Sequence, residues 1–404
     1  MPPRLSYRKS TTGCLRCKTR KVKCDEKRPK CSHCTRHSVS CEYPSLVTRI
    51  YDPSQPKPKS TNALVCQRND ESPRPSLPSP ELGSRRVLEL RLMHHWITAT
   101  ADTMSSAQLS SVREMWSVSV PQLAFEYEPL LHTLLALGAA HRTTLLPGEA
   151  PSLRPIYHGY IDSALKGHRP VTAKLDGNTS ESVCLNAILI SLYTLFLRSE
   201  GTPQPYEPPI LWLSMARGIR TVIKTVYHQL MASNSRLCPL LVAQPTIWHR
   251  DPTNSDESPA KPFHYLLEYR QEEMTDSVDN AYYGTITYLE RLYFAVQDRQ
   301  PEYVIRKIFN GFPPVVPKLF LDYVGEKRPR ALAILAHLFA LGKSVENIWW
   351  LRGIPEQEVR GIDSIMPADW KWALAWPLSL VSKDNPASEA SSPLTMRSVI
   401  DELV

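Results

Sequence analysis

Six cysteines stand between residues 14 and 41: Cys14, Cys17, Cys24, Cys31, Cys34 and Cys41. Their spacing, C-x2-C-x6-C-x6-C-x2-C-x6-C, is a repeat, because CLRCKTRKVKC and CSHCTRHSVSC share the frame C-x2-C-x6-C. A C-x2-C pair sets two thiolates on one side of a turn, at the separation of a tetrahedral zinc ion. A third cysteine after a short helix closes on the same ion. Two tetrahedral zinc ions need eight ligand positions, so six thiolates suffice only if two of them bridge. The pseudo-symmetry of the halves points to the first cysteine of each, Cys14 and Cys31, as bridges. Cys17 with Cys24, and Cys34 with Cys41, are then the terminal pairs. His33 and His37 lie in the second half, but six thiolates already complete the set, so both read as surface groups or phosphate contacts. The competing reading is a disulfide framework. It conflicts with the polar, basic start of the chain, which lacks the apolar segment of a secretory signal.

Residues 1–50 hold thirteen Lys and Arg against three Asp and Glu. Set against a net charge of +8 for all 404 residues, this leaves the rest of the chain slightly acidic. A basic head on a near-neutral body predicts a polyanionic partner for the head alone. The cations fall unequally between the halves. The first carries Arg16, Lys18, Arg20, Lys21 and Lys23; the matching part of the second offers Arg36 and His37. The first half should therefore face nucleic acid while the second completes the zinc cage. A head of this size has almost no apolar core, so metal binding should supply most of its folding energy.

The elements that position this cluster follow from composition. Residues 1–43 form the cysteine-rich head. Residues 44–84 read as an extended Pro- and Ser-rich linker, with Pro44, Pro53, Pro56, Pro58, Pro73, Pro75, Pro78 and Pro80. From residue 85 to 404 apolar residues recur at helical spacing, giving one all-α domain with a loop insertion near 232–280. Helical runs are expected at 129–143, 180–197, 210–230, 281–296, 329–350 and 370–380. The longest apolar stretch, Cys184 to Leu197, is interrupted by Asn186, Ser191 and Thr194 and reads as too short to span a bilayer. The chain thus reads as soluble and intracellular, with Cys66, Cys184 and Cys238 as free thiols.

The segment GCLRCKTRKVKCDEKRPKCSHCTRHSVSC, Gly13 to Cys41, closely resembles the fungal zinc binuclear cluster (Zn2Cys6) regulators, with Pro29 where that family places a proline. The resemblance implies two zinc ions as cofactors and a first helix whose start enters the major groove of double-stranded DNA to read a CGG-type triplet. By the family's pattern Lys21, three residues before the third cysteine, is the base reader and Arg20 the second candidate. Lys18 and Lys23 would grip phosphates, adding affinity and salt dependence but little sequence choice. The family implies a nuclear, RNA polymerase II regulator and a contact with the transcription machinery. No sustained heptad pattern supplies the coiled coil by which many members pair.

Further along, Leu88–Ser105, Val120–His141, Leu192–Leu197 and above all Arg328–Leu378 resemble the C-terminal domain of fungal sterol uptake control proteins and related gene-cluster regulators. That implies a helical regulatory domain, with self-association and a sterol or other hydrophobic ligand as its expected partners. It also implies control of a sterol-related or secondary-metabolite gene cluster. The alternative is a helical body that serves only as a protein-interaction platform. Neither HExxH nor G-x-S-x-G occurs, and Gly342-Lys343-Ser344 lacks the earlier glycine of a P-loop, since His337 stands there. An enzyme is therefore not expected. His94 and His95 are adjacent and point apart on a helix, which suits packing better than a shared metal. By the same argument, one of Trp349 and Trp350 should face the core and the other a neighbouring helix, a dimer partner or a cavity.

Overall fold

Helix is the only regular structure the sequence favours, and among the described residues helices and turns are all that forms. The structure is a computed structural model, describing residues 13–20, 22–43, 80–172, 179–201, 204–233, 235–242, 261–268 and 275–382. Of the linker expected at 44–84, residues 44–79 lie outside these, as do Cys66 and the C-terminal residues 383–404; residues 80–84 are helical and open the first helix of the second unit. The chain divides into two compact units, one within residues 1–75 and the other within 76–404.

The N-terminal unit has two one-turn helices, α1 (Leu15–Thr19) and α2 (Ser32–Arg36). Its interior is the cysteines themselves, with Val39, Cys41 and Tyr43 packed against them.

The second unit holds sixteen α-helical segments among its described residues. They are α3 (Pro80–His95), α4 (Ser110–Glu114), α5 (Val120–Glu126), α6 (Glu128–Leu145), α7 (Ala150–Thr172), α8 (Ser180–Phe196), α9 (Ile210–Ala232), α10 (Cys238–Val242) and α11 (Tyr265–Glu268), then α12 (Asp276–Gln297), α13 (Glu302–Asn310), α14 (Phe312–Val315), α15 (Lys318–Gly325), α16 (Pro329–Gly342), α17 (Ile354–Ile365) and α18 (Ala375–Val381). α16 is the hub: every residue from Arg330 to Gly342 is buried, as a helix apolar on all sides must be. A Cβ on Gly342 would lie 2.8 Å from the Phe309 ring, so only glycine permits that approach. With the 3-10 turn that follows it, α8 forms a continuous helical span, Ser180–Glu200, that is by length and composition apolar enough to cross a membrane, longer than the sequence reading allowed. Of its most apolar window 72% is buried, which fits a core helix.

The helix at 150–172 escapes the periodicity reading because Pro155 and Pro170 lie inside it. Tertiary burial overrides them: Leu153, Tyr157, Tyr160, Ile161, Ala164 and His168 line one face at three- and four-residue steps. The expected run at 329–350 stops early, at Gly342. Trp349 and Trp350 therefore sit in a turn and not on a helix. Both are buried, and both indole N–H groups reach Thr103, Trp349 to its Oγ1 at 2.8 Å and Trp350 to its carbonyl at 3.2 Å. Trp349 also stacks on His141 with ring centroids 5.0 Å apart. This pair is closed core packing, so the expected divergence is corrected.

The insertion near 232–280 is described only in part. Its described residues depart from an open loop, since α10 and α11 carry Leu240 and Leu266 into the core beside Leu237 and Phe263. A buried and a half-buried cation fix these segments: Arg330 Nη1 donates to the Leu267 carbonyl at 3.2 Å and Lys307 Nζ to the Leu240 carbonyl at 3.2 Å.

Candidate metal centre and nucleic-acid interface

The two halves of the N-terminal unit repeat one backbone design at an offset of 17 residues. Cys14 caps α1, its sulfur accepting the Cys17 N–H at 3.5 Å; Cys31 caps α2, accepting the Cys34 N–H at 3.3 Å. Lys18 N donates to the Cys14 carbonyl at 3.1 Å, and Thr35 N to that of Cys31 at 3.0 Å. After each helix the chain turns back identically, with Val22 N on the Cys17 carbonyl and Val39 N on the Cys34 carbonyl, both at 3.1 Å. A capping position suits a sulfur that is to become a thiolate, because the open N–H groups of a helix start favour negative charge.

The sulfurs form two quartets, Cys14–Cys17–Cys24–Cys31 and Cys14–Cys31–Cys34–Cys41, with all ligand atoms in each within 4.8 Å of one another. Cys14 and Cys31 belong to both. Sulfur pairs stand 3.8 Å (Cys14–Cys31), 3.6 Å (Cys14–Cys34) and 3.7 Å (Cys17–Cys31) apart. Tetrahedral zinc with bonds of about 2.3 Å requires sulfurs about 3.8 Å apart, whereas a disulfide requires about 2.05 Å. The donor set therefore fits two tetrahedral ions, and all six cysteines are free of disulfides. Crowding acts on the thiols unevenly. Burial, then hydrogen bonding to the Cys31 and Cys14 sulfurs, pushes Cys34 up to about 12. Burial opposes ionisation of Cys24 too, but backbone N–H donors around Cys14 and Glu26 outweigh it and lower that thiol to about 7. Zinc supplies the positive charge that lets the remaining thiols ionise together.

Of the cations singled out in the sequence, Lys18, Arg20 and Lys23 are exposed, as is Arg16; Lys21 lies outside the described residues. Lys18 is in the last turn of α1 and Arg20 is its C-cap. At the start of α1, Cys14 is buried in the metal cage and Leu15 N donates to the Glu42 carbonyl at 2.7 Å. Arg16, Lys18, Arg20 and Lys23 present an exposed basic surface along α1 and the extended residues after it. His33 and His37 pack edge to face 4.9 Å apart and belong to neither sulfur quartet.

Two ties across the halves were not foreseen from sequence. Asp25 receives Ser32 N at 3.0 Å and Ser32 Oγ at 2.5 Å, and the first of these bonds satisfies an open N–H at the start of α2. Tyr43 donates its hydroxyl to the Lys27 carbonyl at 2.9 Å. An acidic residue just past Cys24 and an aromatic two past Cys41 were the only signals available.

Comparison with known proteins bears on this geometry directly. The fungal Zn(2)-Cys(6) binuclear cluster domain matches residues 12–49, and the fungal specific transcription factor domain matches residues 91–243. The chain is 32% identical over 337 residues to the Zn(2)-C6 fungal-type transcription factor afumD of Aspergillus fumigatus, covering 83% of this chain and 86% of that one. The chain belongs to the fungal Zn(2)-Cys(6) transcription factors. A Zn(2)-C6 fungal-type transcription factor of Gibberella zeae is 28% identical, over 95% of this chain and 88% of its own. Sterol uptake control protein 2 of Candida albicans is 24% identical, over 67% of this chain and 39% of its own. Membership in this family means a binuclear cluster of two zinc ions and a transcription factor, not an enzyme. It implies DNA binding through the cluster and action in the nucleus.

In the second unit the histidines form no metal-ligating group among the described residues. His95 packs 5.1 Å from His141, whose Nδ1 meets Thr100 Oγ1 at 3.0 Å. Glu358 is fully enclosed, with Arg198 Nε at 2.5 Å and the Tyr206 hydroxyl at 2.7 Å. Burial pushes its carboxyl up, while Arg198 and then Tyr206 pull it back. This network joins the end of α8 to α17 and is structural.

Proposed function

We propose that this transcription factor holds its two zinc ions with Cys14 and Cys31 as bridges, Cys17 and Cys24 on one ion, and Cys34 and Cys41 on the other. The observation that carries the reading is the pair of sulfur quartets that share those two cysteines. On that frame the head reads CGG-type DNA triplets, Lys21 and Arg20 contacting base edges and Lys18 and Lys23 holding phosphates. Arginine and lysine suit guanine because each can donate to its O6 and N7 in the major groove. The exposure of Lys18, Arg20 and Lys23 at one end of α1 supports the assignment. Residues 1–43 act as the DNA-binding domain, 44–84 as linker and 85–404 as a helical regulatory domain.

The regulated genes are those of a sterol-related or secondary-metabolite pathway, a reading supported by the resemblance to sterol uptake control protein 2. The regulatory domain recognises a second copy of the chain, a hydrophobic small molecule or the transcription machinery through surfaces other than Trp349 and Trp350. The test is binding of the full chain to a duplex carrying CGG triplets and to the same duplex with the triplets scrambled, with zinc and with a chelator. Tight binding that needs both the triplets and zinc is expected. Equal binding to both duplexes would overturn the triplet reading.

A further inference from the structure

The zinc cage closes on a residue that no cysteine pattern includes. Tyr43 is half-buried against the sulfur cluster. Its hydroxyl donates to the Lys27 carbonyl at 2.9 Å and lies 3.9 Å from Cys24 Sγ. The Arg28 guanidinium sits over its ring, 5.0 Å from the centroid. One side chain therefore touches a terminal zinc ligand, the backbone of the loop between the halves, and a cation of that loop. Glu42 beside it accepts the Leu15 N–H at 2.7 Å, so residues 42 and 43 tie the end of the head back to the start of α1 and to the central loop.

The proton count fixes the direction of this contact when the metal is bound. A phenol carries one proton, and a zinc-bound thiolate carries none, so that sulfur can only accept. With zinc bound, the tyrosine O–H is the only donor of the pair. It is shared between the Lys27 carbonyl and the Cys24 sulfur, holding the loop at the position where the sulfur meets the ion. Groups that hydrogen-bond to ligands in this way fix ligand orientation, and losing one typically costs metal affinity by about 10–100-fold.

We propose that Tyr43 is a positioning residue of the zinc site, whose hydroxyl holds Cys24 and the inter-half loop in the ligating geometry and slows loss of the ion bound by Cys17 and Cys24. The inference rests on the binuclear reading above. It predicts an asymmetric cluster, because among the described residues Cys41 Sγ accepts the Cys31 N–H at 3.3 Å and meets no equivalent hydroxyl.

Zinc competition on the full-length protein tests it, with a chromophoric chelator as the probe. Tyr43→Phe keeps the ring and removes only the hydroxyl; it should lose one of the two zinc ions about tenfold more readily than wild type. Arg28→Ala removes the cation and keeps the hydroxyl, and should release zinc within about twofold of wild type. Tyr43→Phe behaving as wild type would overturn the proposal. So would Arg28→Ala matching Tyr43→Phe, since the ring stack and not the hydroxyl would then hold the loop. A wild-type protein carrying fewer than two zinc ions would instead overturn the binuclear reading itself, which separates the two failures.

Discussion

Removing a bridging thiolate and removing a terminal one are chemically the same substitution with different consequences. Cys14 and Cys31 each belong to both sulfur quartets, whereas Cys17, Cys24, Cys34 and Cys41 each belong to one. A structural zinc site contributes about 10–16 kcal/mol of apparent binding energy. Divided over four thiolates, this is roughly 2.5–4 kcal/mol per ligand, so a bridge contributing to both ions accounts for roughly 5–8 kcal/mol. Cys17→Ala should therefore weaken one ion by roughly a hundredfold or more and leave the other in Cys14, Cys31, Cys34 and Cys41. Cys34→Ala should do the mirror image. Cys14→Ala and Cys31→Ala should lose both ions together. Zinc per chain by mass spectrometry after equilibration with a graded chelator reads this directly: about one zinc for the terminal variants, none for the bridging ones. If Cys14→Ala retained one tightly held zinc as Cys17→Ala does, the bridging assignment would be refuted. The 3.6 Å Cys14–Cys34 and 3.7 Å Cys17–Cys31 contacts would then belong to a different ligand arrangement.

Lys21→Ala should lose discrimination between CGG-bearing and scrambled duplexes by about 1–3 kcal/mol, while Lys23→Ala weakens binding to both equally and lowers the salt slope by about one; competition binding at several salt concentrations distinguishes them. Glu358→Ala strips the largely buried Arg198 of its carboxylate, so thermal unfolding should show a loss of roughly 3–5 kcal/mol. Arg154→Ala, whose partner Glu200 pairs with a side chain that is 58% exposed, should cost less than about 1 kcal/mol. Burial holds His337 neutral, down to about 4, between the Tyr265 hydroxyl and the Ala333 carbonyl. A depressed histidine gives stability that is present above the unfolded value near 6.5 and is lost as pH falls towards 4, where the unfolded chain binds the proton more readily. Glu290, raised by burial to about 7, acts oppositely and offsets this slope, so the measurement is the difference between wild type and His337→Gln; the variant should lose less stability than wild type as pH falls from 6.5 towards 4.

The cysteine centre was legible because its chemistry is local in sequence. A C-x2-C pair and a cysteine seven residues on lie on one helical turn and the extended segment that returns from it, so spacing alone nearly fixes the ligand set, and the repeat supplies the symmetry. What sequence could not show is whatever depends on closure. Tyr43 meets Lys27 and Cys24 only after both halves have folded about the metal, and the residues between them give no periodic signal. The Leu15–Glu42 bond, which ties the start of α1 to the end of the head, depends on closure in the same way.

In the helical unit the long amphipathic runs at 129–143, 180–197, 210–230 and 281–296 appeared close to where they were expected, since a face buried along several turns imposes its period on the sequence. The failures came where burial and backbone disagree. Pro155 and Pro170 disguised α7, whose apolar face outweighed them. After Gly342 the apolar pattern runs on while the backbone leaves the helix, so Trp349 and Trp350 keep a helical spacing without a helix. Composition records that a tryptophan will be buried; it does not record which way the chain turns to bury it. Here the turn itself is the device, because it lets two adjacent indoles donate to the same residue, Thr103, from a backbone that no helix could supply. Adjacent helical side chains diverge by about 100°, so a shared partner for neighbours is by itself an argument against helix at that point.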